Sequence, residues 1–208
     1  MDKTAFLARL DKHLPVGSSE LIWPLIRDFD FTLKVTRDRI TKHGDYRLPP
    51  LGQSKHKISV NGTLNPHAFL LTFLHEIAHM HAYAIHGRRI RPHGKEWKYL
   101  FSEMAVPFLE RGIWLPEMEP ALHKYFRNPK ASSGADPELM KVLHRRNEEE
   151  SLTVEDIPEG ALFLLPKQTG RIFRKGEKRR TRYLCKELTT GRVYTIHGLA
   201  MIEVNDEK

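Results

Sequence analysis

The sequence of 208 residues contains a single cysteine, Cys185. One thiol cannot form an intramolecular disulfide, and sparse cysteine usage is typical of proteins that work in a reducing compartment. The chain also lacks an apolar run long enough to cross a membrane, and its first residues carry charges in place of the apolar core of a secretory signal. These absences argue against a disulfide-stabilised or membrane-spanning protein, and we expect a cytoplasmic one.

Acidic residues are in the minority: the sequence has 26 Asp and Glu but 34 Lys and Arg, which gives a net charge of +8. Such an excess favours anionic partners, DNA or RNA, although many basic proteins bind neither. The positive charge is concentrated in two stretches. The first contains Arg88, Arg89, Arg91, Lys95 and Lys98, and the second runs from Arg171 to Arg192. We predict nucleic-acid contacts in both stretches, at Arg88, Arg89 and Arg91 in the first.

The run His75-Glu76-Ile77-Ala78-His79 matches the HExxH pattern. Residues four apart lie on the same face of a helix, so both imidazoles can bind one metal ion with Glu76 beside it. Asn65-Pro66 predicts the start of such a helix, and Gly87 predicts its end. A catalytic zinc site keeps one position for a water, which a neighbouring glutamate deprotonates. The motif therefore indicates peptide hydrolysis with Glu76 as the catalytic base.

The third metal ligand decides which class of zinc enzyme the motif represents. The metzincin pattern requires a histidine six residues after the second motif histidine and a glycine between them, but these positions hold Ile85 and Ala82. Glu96 and Glu103, on a following helix, are possible ligands on spacing alone. His93 is the stronger candidate, because it stands immediately before that helix on a loop that can return to the first one.

These residues resemble the SprT-like (Spartan-type) metallopeptidase domain. The similarity is carried by Ile58-Ser59-Val60-Asn61, by the HExxH motif and by His93-Gly94-Lys95-Glu96-Trp97. The resemblance implies that His75, His79 and His93 bind one Zn²⁺ and that Glu76 is the general base. Eukaryotic proteins with a domain of this kind cleave proteins crosslinked to DNA, so the resemblance also implies DNA-associated protein substrates.

The chain departs from bacterial members of that family in one respect. Those proteins typically continue into a zinc ribbon with four metal ligands. A chain whose only cysteine is Cys185 cannot form such a ribbon.

The hydrophobic pattern of residues 1–126 predicts an α+β, zincin-like catalytic domain. Strands are indicated over residues 31–36 and 55–61, and His43-Gly44-Asp45 indicates a turn between strands. We expect a small antiparallel sheet packed on the HExxH helix and further helices. One edge strand would border the cleft, where a substrate peptide can join it. Because His43, His56 and His67 do not share the spacing of the motif, we expect them at the surface.

The remaining chain has a different character. Residues 127–154 are predicted to be a linker with a short helix, and residues 155–208 a small all-β barrel-like module of SH3-like or OB-like kind. A charged hairpin in this module carries Arg179, Arg180 and Arg182, close in sequence to Phe173, Tyr183 and Tyr194. Basic residues that contact phosphates, together with aromatic residues that stack on bases, predict a nucleic-acid-binding face.

Two functions are compatible with these patterns. The favoured one is a SprT-like zinc metallopeptidase that acts on a protein or peptide. The alternative is a nucleic-acid-binding protein whose metal site is structural or vestigial. A structural zinc site needs four protein ligands and has no use for a base, so the presence of Glu76 in the motif favours the enzyme.

Overall fold

The computed structural model describes residues 2–37, 39, 42–131, 136–144, 152–166 and 170–204. The chain divides into two compact units, Met1–Leu143 and His144–Lys208. The first unit therefore extends beyond residue 126, which is the predicted end of the catalytic domain. Among the described residues, no helix is long and apolar enough to cross a membrane.

Six helices are described, five of them in the first unit and the sixth at its end. They are α1 (Lys3–Leu10), α2 (Ser18–Ile26), α3 (Pro66–His86), α4 (Lys95–Glu110), α5 (Glu119–Arg127) and α6 (Pro137–His144). The predicted bounds of the motif helix are confirmed. The side chain of Asn65 accepts a hydrogen bond from the backbone of Ala68 at the start of α3, and Gly87 ends the helix with a φ of 74°.

A three-stranded sheet packs on α3. Its strands are β1 (Phe31–Thr36), β2 (Gly44–Arg47) and β3 (His56–Asn61), in the order β1-β3-β2. The prediction of an antiparallel sheet is wrong in part, because β1 and β3 pair in parallel and only β2 and β3 are antiparallel. The chain reverses its direction between β1 and β2 and again between β2 and β3. It therefore runs through β3 in the same direction as through β1.

Two further local predictions are corrected by this sheet. Gly44 and Asp45 are not a turn, because they pair with Val60 and Ser59 as the first residues of β2. His56 is also not a surface residue, since it is buried on β3 with its Nδ1 atom 2.8 Å from the hydroxyl of Tyr46. A buried imidazole of this kind is satisfied by its partner, and the same contact restrains the hydroxyl of Tyr46.

Helix α3 is the centre of the first unit. The core around it includes the fully buried side chains Ile22, Ile26, Phe69, Phe73, Leu74, Phe101, Phe108 and Trp97. Burial of each such side chain contributes about 1.5–3 kcal/mol, so α3 is held on several sides by apolar contacts. His67, near the start of α3, is likewise buried and not at the surface as expected.

The second unit contains one five-stranded antiparallel sheet. Its strands are β4 (Leu162–Leu164), β5 (Ile172–Arg179), β6 (Arg182–Glu187), β7 (Val193–His197) and β8 (Glu203–Val204), in the order β7-β6-β5-β4-β8. In the described residues β7 and β8 do not pair with each other, so closure into a barrel stays a prediction. Phe173, Tyr183 and Cys185 point into a separate core, as their alternation along β5 and β6 requires.

Two charged side chains are buried in this second core. The ammonium group of Lys175 donates a hydrogen bond to the carbonyl oxygen of Ile157 over 2.5 Å and lies 4.2 Å from the ring centroid of Tyr183. The carboxylate of Glu187 accepts hydrogen bonds from the backbone amides of Thr189 and Thr190, each over 3.1 Å. Both charges are thus neutralised by fixed dipoles of the turns and loops around them.

Candidate metal centre

Helix α3 brings two imidazoles together. His75 and His79 are one helical turn apart, and their Nε2 atoms are 3.2 Å from each other. Trp97 of α4 supports both rings, with ring centroids 4.5 Å from His75 and 5.2 Å from His79. The indole of Trp97 is fully buried and its N–H donates to the backbone carbonyl of His75 over 3.4 Å. The packing of α4 against α3 therefore fixes the orientation of the two rings.

A third imidazole comes from the loop before α4. The Nε2 atom of His93 lies 3.1 Å from that of His75 and 3.0 Å from that of His79. His93 has a φ of 57°, in the left-handed region that residues other than glycine rarely occupy. This unfavourable backbone conformation turns the side chain back toward α3, and such strain is commonly found at functional sites.

The three nitrogen atoms fit a metal ion. Ligands at about 2.0–2.1 Å from a tetrahedral zinc ion are about 3.3–3.4 Å apart, close to the 3.0–3.2 Å between these atoms. Burial, followed by the charges of His79 and His93, lowers the pKa of His75 to about 2. Burial, followed by the charge of His93, lowers the pKa of His79 to about 3. Burial, followed by the charge of Lys98, also lowers the pKa of His93. Neutral imidazoles with free lone pairs are the form that binds zinc.

The two alternative ligands considered from the sequence lie outside this group. Among the described residues, the one cluster with metal-ligand geometry consists of His75, His79 and His93, whose donor atoms lie within 4.8 Å of one another. Glu96 faces Lys95 at 3.9 Å, and Glu103 is exposed on α4. The structure therefore brings together three of the five candidate ligands, and these are the three histidines.

Glu76 stands beside the cluster in a buried position. Its carboxylate accepts a hydrogen bond from the backbone N–H of Tyr46 on β2. Burial, and then the negative charge of Asp45, raise the pKa of Glu76 to about 8, while Arg39 and Lys42 act in the opposite direction. A carboxyl group whose pKa lies near neutrality is suited to both accepting and returning a proton, and a nearby metal cation would favour its charged form.

Strand β2 approaches this carboxylate very closely. A Cβ atom built on Gly44 would collide with the carboxylate of Glu76 and with the methyl group of Thr72. Two residues further on, the ring of Tyr46 is nearly parallel to that of His79, with centroids 6.0 Å apart and an interplanar angle of 6°. Sequence reasoning missed both residues. The one signal available was a glycine inside a short alternating segment, which often marks a close approach of another group.

A cavity of about 730 Å³ opens over the three histidines and Glu76. Its volume is within the range of about 300–1,000 Å³ that is usual for ligand sites. Its lining includes residues of β2, of α3 and of the loop before α4. Among the described strands, β2 pairs on one side only, so the expected edge strand beside the cleft is present. The polar groups of the candidate site thus line a cavity beside a strand edge.

The residues predicted to contact nucleic acid fall in both units. In the first unit, Arg88 and Arg91 line the cavity, whereas Arg89 is exposed and does not. In the second unit, Arg179 and Arg182 face each other across the β5–β6 hairpin, with Arg180 in its turn. The partner aromatic residues differ from the expectation, because Phe173 and Tyr183 are buried and cannot stack on bases.

Comparison with known proteins agrees with this geometry. No solved structure matches the chain. Residues 28–113, which run from the start of the three-stranded sheet through α4, match the model of the SprT-like family. This segment contains all three clustered histidines and Glu76 but ends before the second unit. The part of the chain that carries the candidate metal centre is therefore similar to the SprT-like family.

Proposed function

We propose that the protein is a zinc-dependent metallopeptidase of the SprT-like type, with Glu76 as its general base. One observation carries this proposal: three neutral imidazole nitrogens converge within 3.2 Å of one another, next to a buried carboxylate in an open cavity. His75, His79 and His93 would hold the ion. A zinc ion bound there supplies Lewis-acid activation of water and of a carbonyl group.

The protein's own side chains have defined tasks in this reaction. Glu76 takes a proton from the attacking water on its carboxylate and returns it to the leaving amine. The backbone N–H of Tyr46 holds that carboxylate, and Gly44 leaves the space that the carboxylate occupies. Trp97 closes the floor of the site and keeps bulk water away from the imidazoles. These contacts fix the base before any substrate arrives, which reduces the reorganisation that catalysis requires.

The ligand set also argues against a structural metal site. Structural zinc sites are closed by four protein ligands, whereas the cluster in the described residues has three. A three-ligand site in the wall of a cavity keeps a position for water or substrate. This supports an enzyme over a protein with a structural or vestigial ion.

Zinc content and proteolysis test the proposal together. We expect one zinc per chain, with cleavage of a denatured protein that stops on chelation and returns on addition of zinc. His93→Ala should lower zinc affinity and activity strongly, because it removes one of three ligands. Glu103→Ala is the matched control on α4 and should change neither. Full zinc content in His93→Ala, with loss in the Glu103 or Glu96 variants, would contradict the assigned ligand set.

A second candidate function, nucleic-acid binding, is supported by the sheet of the second unit. Arg174 on β5 is directly opposite Lys186 on β6, and both side chains are exposed. Like charges in this position repel each other and destabilise a sheet. In the described part of the chain neither has a carboxylate partner, whereas Arg179 is held by Glu177 at 2.7 Å. A phosphate backbone lying across β5 and β6 would relieve this repulsion.

Binding to single-stranded and duplex oligonucleotides tests this candidate. We expect binding without sequence preference, with a log–log salt slope of about −0.7 to −0.9 for each phosphate contacted. Arg174→Glu with Lys186→Glu should weaken it at every sequence, while Lys12→Glu on the first unit should change it little. Binding without proteolysis would favour the non-enzymatic alternative. No retention at low salt would remove support for DNA-associated proteins as substrates.

A further inference from the structure

We propose that the cavity selects peptides with an acidic side chain on one side of the cleaved bond and an apolar side chain on the other. This inference rests on the proposed peptidase function and names the substrate class of the same site. It follows from the unequal chemistry of the two ends of the cavity.

The cavity runs along α3, with the metal centre in its middle. Its lining extends from Leu71 to Tyr83 on that helix, which is about 18 Å at 1.5 Å per residue. An extended peptide rises about 3.3 Å per residue, so this length accommodates about five residues. His75 and His79 lie near the midpoint. The cavity therefore contacts two or three residues on each side of the bond to be cleaved.

One end of the cavity is apolar. It is lined by Leu71 of α3, Phe101 of α4, Tyr125 of α5 and Met140 of α6. Leu71, Phe101 and Tyr125 are almost completely buried, so the surface that they offer to the cavity is rigid. Met140 is partly exposed and has a flexible side chain that adapts to different shapes. An aliphatic or aromatic side chain of a substrate would be desolvated at this end.

The other end is basic. Arg88 is held there by a hydrogen bond from its guanidinium group to the carbonyl oxygen of Pro49, and it lies 5.9 Å from the ring centroid of Tyr83. Arg91 also lines the cavity. In the part of the chain that the structure describes, neither arginine forms an ion pair with a carboxylate. Two guanidinium groups in this position attract a carboxylate from a substrate.

The remaining charges in the cavity wall do not offset these two arginines. Asp45 is paired with Lys42 at 2.6 Å and with Arg47 at 2.9 Å, so its charge is already compensated. Glu76 is the proposed base and is buried beside the histidines. The net field at the arginine end is therefore positive, and an acidic side chain is the complementary group.

Cleavage of a positional peptide library tests the proposal. The wild-type protein should prefer Asp or Glu within three residues on one side of the cleaved bond, and Leu, Met or Phe on the other. Arg91→Glu should reduce the preference for Glu over Lys about five- to tenfold, since an exposed ion pair is replaced by a like-charge pair. Arg89→Glu makes the same charge change outside the cavity and should leave the preference unchanged. An equal effect of the two variants would overturn the proposal.

The apolar end has its own matched pair of variants. Met140→Lys should weaken the preference for apolar side chains, whereas Lys141→Met, at the neighbouring position outside the cavity lining, should not. Unchanged selectivity in Met140→Lys would contradict the assignment of this end.

A binding measurement separates this inference from the proposed function. Fluorescence anisotropy with Glu76→Gln reports peptide affinity even if the protein hydrolyses nothing. Tighter binding of a peptide with Glu on one side and Leu on the other than of its Lys-substituted counterpart, by about fivefold at low salt, would support the inference without any proteolysis. Equal affinities would refute it, even if proteolysis were observed. Displacement of the peptide by a short oligonucleotide, but not by an acidic peptide, would also refute it and assign the arginines to nucleic acid.

Discussion

Both units of the protein bury charged or ionisable side chains, but they satisfy them differently. In the second unit, Lys175 and Glu187 are surrounded by backbone groups that complete their hydrogen bonding. In the first unit, three imidazole nitrogens face one another at 3.0–3.2 Å, and Glu76 has a cavity beside it. A buried polar group is structural when the fold saturates it, and it is available for chemistry when the fold orients it and leaves lone pairs unused.

The largest contrast is expected between the two buried carboxylates. Glu76→Gln keeps the shape of the side chain but removes the base, so proteolysis should fall by about 10²–10⁴-fold with zinc content unchanged. Glu187→Gln should leave proteolysis unchanged and lower the thermal stability of the second unit. Proteolytic rates and the melting curves of both variants measure the difference. Parent-level cleavage by Glu76→Gln would show that another group is the base.

The pH dependence of the second unit sharpens the same contrast. Hydrogen bonds from Thr190, together with those from Thr189, hold the pKa of Glu187 below its ordinary value. The stabilisation they give is therefore complete above that ordinary value, and it is lost as the pH falls through the lowered one. Glu187→Gln should be less sensitive to acid over this window. An identical loss of stability with pH in the variant and the parent would count against this role for Glu187.

A smaller effect is expected from Gly44, which has no counterpart in the second unit. Gly44→Ala forces Glu76 away from its position, and a displacement of about 1 Å can cost about 10²-fold in rate. We expect kcat to fall while zinc content and KM change little. Lys57→Ala, on the exposed side of the adjacent strand β3, is the control. A drop in zinc content equal to the drop in kcat would indicate a general disruption of the site.

The smallest effect is expected from Lys175→Met. This change preserves most of the side-chain volume but leaves the carbonyl oxygen of Ile157 without its donor, at a cost of about 1–3 kcal/mol. Urea denaturation of the second unit would measure it. Zinc binding and proteolysis should not change, because backbone groups of the second unit complete the hydrogen bonding of Lys175. Altered zinc content in this variant would contradict the distinction between buried groups whose hydrogen bonds the fold completes and buried groups that remain available for chemistry.

Local signals in the sequence predicted the helix that carries the candidate site. The cap at Asn65, the stop at Gly87 and the four-residue spacing of His75 and His79 are properties of one helix, so a single segment specifies them. The resemblance to the SprT-like family was also predicted, and the match of residues 28–113 to the model of that family confirms it.

Non-local features were harder to predict. The parallel pairing of β1 with β3 depends on where β2 lies, which no segment specifies alone. The closeness of Gly44 to Glu76 is a contact between a strand and a helix 32 positions apart, and the glycine alone does not identify the group that approaches it. Spacing also left Glu96 and Glu103 open as ligands, because the left-handed backbone of His93 that directs its side chain toward α3 has no sequence signature.

In the part of the chain that the structure describes, one edge of β2 is unpaired, and this has a consequence for solubility. A free strand edge beside an open cavity invites pairing with a second molecule, which is a common route to aggregation. Here the edge is four residues long, and Asp45 at its second position is flanked by Lys42 and Arg47. A short, charged edge of this kind resists the extended edge-to-edge contacts of aggregates, yet it leaves enough backbone for one peptide. The same four residues therefore leave room for one added strand while they limit edge-to-edge association between two copies of the chain.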